Sequence, residues 1–93
     1  MSSEISPFTR SWALNRVKGS IASYLRGNTP INMVKGRIKR AVESYGVKPE
    51  EIRAIVSLLQ IDPSLTIPRE LREERAKSLL EFIVELRRGG KSG

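Results

Sequence analysis

Four cations in six residues, Lys35-Gly36-Arg37-Ile38-Lys39-Arg40, are the strongest chemical signal in the chain. Crowded like charges repel unless solvent or an anion relieves them, so the segment reads either as a phosphate-binding surface or as a solvated basic face. Glu43 relieves it only in part, at i,i+4 from Lys39 and i,i+3 from Arg40. Thr29, Asn32 and the open N–H groups of a helix start just before it would add an anion site at the same end. A second signal is the single tryptophan, Trp12, with Arg16 one helical turn later. That spacing lets a guanidinium lie over the indole, a contact worth about 0.5–1 kcal/mol when exposed. Small residues at Gly19 and Ser23 would leave a shallow groove beside the ring for a base or a partner side chain. Stacking of a base on an aromatic is worth ~1–3 kcal/mol.

Other chemistry has less to stand on. The 93 residues contain no histidine and no cysteine, which removes disulfides, thiolate nucleophiles, zinc fingers, iron–sulfur clusters and imidazole acid–base catalysis. An enzyme would have to gather carboxylates, lysine, serine or tyrosine in a pocket, and no spacing suggests one. Glu70, Glu74 and Glu81 would make an acidic metal site, but exposed helix charge explains them with fewer assumptions. Pairs such as Glu73–Lys77 and Glu85–Arg88 fit the same surface. No enzyme activity, metal or cofactor is expected.

Charge distribution sharpens the reading. Lysine plus arginine total 17 and aspartate plus glutamate 10, a net +7. Residues 1–48 hold nine basic and two acidic residues, whereas 49–93 hold eight of each, so the whole excess lies in the first half. One-sided basicity points to an anionic partner, nucleic acid being the usual one; a solubilising surface is the alternative. With 39% hydrophobic and 29% charged residues, a folded domain is expected. There is no apolar run of the roughly 18 residues a membrane span needs and no basic-then-apolar leader, so a cytoplasmic or virion-interior setting is expected. Abundant arginine, glutamate and isoleucine with few amides and no cysteine also match the bias of heat-adapted proteins.

The elements that must position these residues are helical. Helical periodicity occurs four times, and strand-like alternation is not sustained. The expected helices run over about 8–26, 30–45, 49–61 and 68–88, with 1–6 and 89–93 as mobile tails of a single domain. Gly27 suits the end of the first, and Thr29-Pro30 supplies an N-cap and an N1 proline for the second. Asp62-Pro63 ends the third, and Gly89-Gly90 the fourth.

At about 100° per residue, the second helix buries Ile31, Val34, Ile38, Ala41, Val42 and Tyr45, with Lys35 and Lys39 on one fringe, Arg37 on the other and Arg40 facing away. The first buries Ala13, Leu14, Val17, Ile21, Tyr24 and Leu25, which leaves Phe8 and Trp12 on the opposite face. A later start at Ser11 would instead turn Trp12 inward, and the usual burial of lone tryptophans favours that arrangement. The third helix turns Ile52, Ile55, Val56 and Leu59 inward and leaves Leu58 and Ile61 over. In the fourth, apolar positions from Leu71 to Leu86 span an arc of roughly 220° against the ~100° of one contact. An arc that wide calls for two neighbours, one of which would be a second copy of the chain, with Leu80 and Val84 at its edge.

Two short stretches resemble known motifs. Ala41 to Ile55, with Gly46 at the turn and Ile52 and Ile55 at buried spacing, resembles a helix-turn-helix. Its second helix opens Pro49-Glu50-Glu51 and carries only Arg53, the wrong charge for phosphates, so a structural helix pair is the better reading. Gly89-Gly90-Lys91-Ser92 resembles the end of a P-loop, but Glu85 stands where the pattern needs glycine and no strand precedes it.

The sequence therefore predicts an all-α, compact four-helix bundle that binds nucleic acid, DNA or RNA, without catalysis. Its contacts would be Arg16, Lys18, Arg26, Lys35, Arg37, Lys39 and Arg40 on phosphates, with Trp12 as a stacking residue and self-association through Leu80 and Val84. The competing expectation is a protein–protein adaptor or a structural subunit of a complex or viral particle.

Overall fold

Proline and a capping serine begin the first helix. α1 spans Pro7–Leu25, with Ser6 Oγ accepting from the Thr9 N–H at 3.1 Å and Pro7 at a position whose N–H the helix leaves open anyway. The computed structural model describes residues 6–92, with side chains to 88; the remaining tail residues, 1–5 and 93, lie outside the described residues. At its other end Gly27 takes φ 87°. There the Gly27 and Asn28 N–H groups donate to the Tyr24 and Ser23 carbonyls, both at 2.9 Å, the paired closure that a left-handed glycine permits.

α2 spans Ile31–Ser44, α3 Pro49–Gln60 and α4 Arg69–Ser92. Two starts or ends differ from the sequence expectation. Thr29 does not cap α2: Pro30 takes that place, and the Thr29 hydroxyl instead lies 2.6 Å from that of Ser23. α4 continues through Gly89 and Gly90 to Ser92, because glycine weakens a helix by about 1 kcal/mol but stops it only where the chain turns left-handed. α3 is fastened at its start, where Glu51 Oε1 accepts from the Lys48 N–H at 2.9 Å.

These four helices form an all-α bundle with no strand among the described residues. Among the described residues no helix is long and apolar enough to cross a membrane. The core takes Ala13, Val17, Ile21, Tyr24 and Leu25 from α1, Val34, Ile38 and Ala41 from α2, Ile52, Val56 and Leu59 from α3, and Ala76, Leu79 and Ile83 from α4. Those are the stripes that helical spacing marks out. Val47 and Leu65, both in loops, are equally buried. Much of the broad arc of α4 is covered inside the chain, because α4 packs against α3, α1 and α2, while Leu71 stays 41% exposed. Leu80, Phe82 and Leu86 lie half-buried against the core, and Val84 stays 45% exposed.

Burying Leu65 draws the α3–α4 loop against the bundle, and its carbonyls then need donors. Arg72 supplies them. Its Nη1 donates to Gln60 and Asp62 at 2.8 and 3.2 Å, and its Nη2 to Leu65 and Ile67 at 3.0 and 3.2 Å. One turn on, Arg75 Nη1 donates to the Leu25 carbonyl at 2.8 Å. A Cβ at Gly27 would come within 3.1 Å of that guanidinium. Ion pairs hold the start of α3 from two sides: Arg10 of α1 pairs with Glu51, and Arg87 of α4 with Glu50 at 3.6 Å. On α4 itself Glu73 pairs with Arg69 at 3.0 Å, rather than with the expected Lys77.

Two outcomes follow for stability. Arg72→Ala leaves four carbonyls without their charged donor and should cost about 2–4 kcal/mol in urea unfolding, with Arg72→Lys recovering only part because a single ammonium cannot span all four. A loss below about 1 kcal/mol would mean that the loop holds itself. Glu51 is held below the ordinary carboxylate range, first by the Lys48 N–H and then by Arg10. Its contribution is complete above the unfolded value of about 4.3 and is lost as pH falls through the lower folded value. Melting temperatures at pH 7 and pH 3 should therefore differ less for Glu51→Gln than for the parent chain.

Candidate functional site

α1 and α2 pack side by side, and an open cleft of about 320 Å³ runs along their seam. Helical spacing builds it. Trp12, Ala13, Arg16 and Val17 are one turn apart in pairs on α1, and Arg37, Arg40 and Ala41 repeat on α2 before Tyr45 closes its end. The small, buried side chains of Ala13 and Ala41 form the floor with Val17.

The aromatic part is ordered by its neighbours. Trp12 meets Tyr45 edge-to-face, with centroids 5.8 Å apart and planes at 80°, the geometry that ring quadrupoles favour. The Arg16 guanidinium lies over the indole at 5.2 Å, as the one-turn spacing predicts. Trp12 nevertheless remains 47% exposed. The inward-facing alternative is corrected: α1 starts at Pro7, not Ser11, so the helical phase keeps the indole outside the core stripe. The groove is also not where Gly19 and Ser23 would have put it. Nothing lies within 4 Å of a Cβ at Gly19, and Ser23 is tied to Thr29.

Three guanidiniums line the cleft, and none of its lining residues is acidic. Arg37 Nη1 donates to Ser20 Oγ at 2.7 Å, which satisfies a hydroxyl buried at 4% exposure and orients the arginine along the seam.

The basic segment does not act as one face. Lys35 and Arg37 are about 200° apart on the helix. Lys35 Nζ lies 5.4 Å from the Phe82 ring of α4, and Lys39, one turn on, shares that side. Lys18 points elsewhere again: its charge helps hold the Asp62 carboxyl below its usual range, after the larger effect of hydrogen bonds from Ser64. Arg26 is exposed at the end of α1. Of the eight residues singled out by sequence, Trp12, Arg16, Arg37 and Arg40 come together, while Lys18, Arg26, Lys35 and Lys39 do not.

Ser20 and Tyr45 were not among them. Tyr45 belongs to the apolar stripe of α2 by spacing, and only the packing of α1 on α2 turns its ring toward Trp12. The helix-turn-helix resemblance gains no phosphate-binding end, since the exposed start of α3 carries Glu50 and Glu51, paired with Arg87 and Arg10. The anion site expected at the start of α2 has its threonine hydroxyl engaged with Ser23. Among the described residues no group of three or more acidic side chains is placed to hold a metal ion.

An exposed indole should emit at long wavelength in the free protein. Trp12→Ala should cost about 1 kcal/mol, the size of an aromatic pair contact, rather than the 3–5 kcal/mol of a core aromatic. Blue-shifted emission with a core-sized loss would instead mark a buried ring. Comparison with protein-family profiles, curated proteins and solved structures finds no match to this chain.

Proposed function

We propose that the chain is a non-enzymatic nucleic-acid-binding protein that contacts phosphates through the α1–α2 cleft. The observation that carries this reading is the convergence of Arg16, Arg37 and Arg40 on a cleft with no acidic lining residue. Guanidinium forks match phosphate oxygens in geometry and charge, and the one-sided basicity of residues 1–48 extends the field around them. Lys35, Lys39, Lys18 and Arg26 serve this reading as long-range attraction rather than as cleft contacts. Such a protein would work where nucleic acid lies, in the cytoplasm or in a virion interior.

A second reading has its own observation. Leu58 near the end of α3 and Ile61 just past it are 66% and 75% exposed, and Val84 is open on α4. Those side chains favour an adaptor or structural subunit that associates with another protein or with copies of itself through α4. Light scattering separates the two, since a monomer at high micromolar concentration removes self-association through Leu80 and Val84.

Salt titration tests the first reading. Replacing Arg37 and Arg40 with glutamine should weaken binding across sequences and flatten the slope of log affinity against log salt by about two phosphate equivalents. Replacing Lys35 and Lys39, which lie on the other side of α2, should change it less. If the lysine pair flattens the slope and the arginine pair does not, the binding surface is not this cleft.

A further inference from the structure

We infer that the cleft takes an unpaired base against Trp12, so that the preferred ligand is a single strand rather than a duplex. The inference rests on the phosphate-binding reading above and adds to it the class of nucleic acid. Its basis is the combination of groups in the cleft: one half-exposed indole, three guanidiniums and an apolar floor of Ala13, Val17 and Ala41. Phosphate recognition alone needs only the cations. An exposed aromatic among them adds a surface that matches the face of a base, and the alternation of base face and anionic backbone is the chemistry of a single strand. Paired bases bury their faces on one another, so a ring set in a shallow cleft reaches a base only when the base is unstacked.

Size agrees. About 320 Å³ lies at the small end of ligand clefts, room for one base and a flanking phosphate. The ring is also prepared for contact. The edge-to-face contact with Tyr45 and Arg16 over the ring restrain the indole, and Ser20 restrains Arg37, so less freedom is lost on binding. Arg40 completes the cationic lining along α2.

Trp12 is the chain's only tryptophan, so tryptophan emission, excited at wavelengths tyrosine does not absorb, reads this site alone. The protein is titrated at low salt with a short oligodeoxythymidylate, with an abasic strand of equal phosphate count, with a blunt duplex and with thymidine monophosphate. The expected result is strong quenching by the oligodeoxythymidylate, and binding of the abasic strand and the duplex, followed by anisotropy of labelled strands, with little quenching. Trp12→Leu should weaken single-strand binding about ten- to hundredfold and change duplex binding by less than about twofold. Trp12→Phe should keep most of the single-strand affinity, and circular dichroism confirms that both variants are folded. Equal quenching by duplex and single strand, or equal loss of both in Trp12→Leu, overturns the inference while leaving phosphate binding in place. Monophosphate binding as tight as the strand also overturns it, by making the ligand a free nucleotide. Failure of every strand to bind at low salt removes the phosphate reading itself, and the inference with it.

Discussion

A loop drawn against a small core must satisfy its own carbonyls, and in this protein two arginines of α4 do that work. The Arg72 guanidinium holds four carbonyls of the α3–α4 connection, and Arg75 holds the last carbonyl of α1. Without those donors, burying Leu65 would leave peptide groups dehydrated and unpaired, at a cost that a chain of this size tolerates poorly. The same contacts fix where α1 ends relative to α4, since Gly27 has no side chain to keep the Arg75 guanidinium away. From that anchor the order of the bundle follows. α4 lies against the other three helices, α3 returns along it, and α1 and α2 are left with their outer seam open.

Charge is divided in the same way. Acidic residues at the start of α3 meet Arg10 and Arg87 from the helices on either side. Pairs this exposed contribute little to stability one by one. Their larger effect is on the surface, because they occupy carboxylates that would otherwise repel a polyanion. No comparable acid lines the α1–α2 cleft. The net charge of +7 is therefore less informative than its placement, with arginine meeting backbone or carboxylate around α3 and α4 and facing the open seam between α1 and α2.

Much of this architecture was legible from residue order. Helical spacing marked Val34, Ile38 and Ala41 as one face and Val17, Ile21 and Leu25 as another, and both are buried. It also placed Arg16 one turn from Trp12, and the cation–π contact is present. Local signals were less reliable at the ends. Thr29-Pro30 and Gly89-Gly90 have the composition of a cap and a stop, yet the threonine bonds to Ser23 and the helix runs on. Capping propensities amount to about 1 kcal/mol, a size that a tertiary contact or one further turn of helix offsets.

By itself the sequence determined the helix class, the buried stripes and the excess of positive charge in the first half, because periodicity and composition act within a few residues. Only the tertiary structure decided which cations share a surface. Lys35 and Arg37 are two residues apart, and a helix sends them to opposite sides, one toward Phe82 and the other toward Ser20. Which side comes to line a cleft depends on the helix packed beside it. Here that helix is α1, and it brings Trp12 and Arg16 to residues more than twenty positions away in the chain.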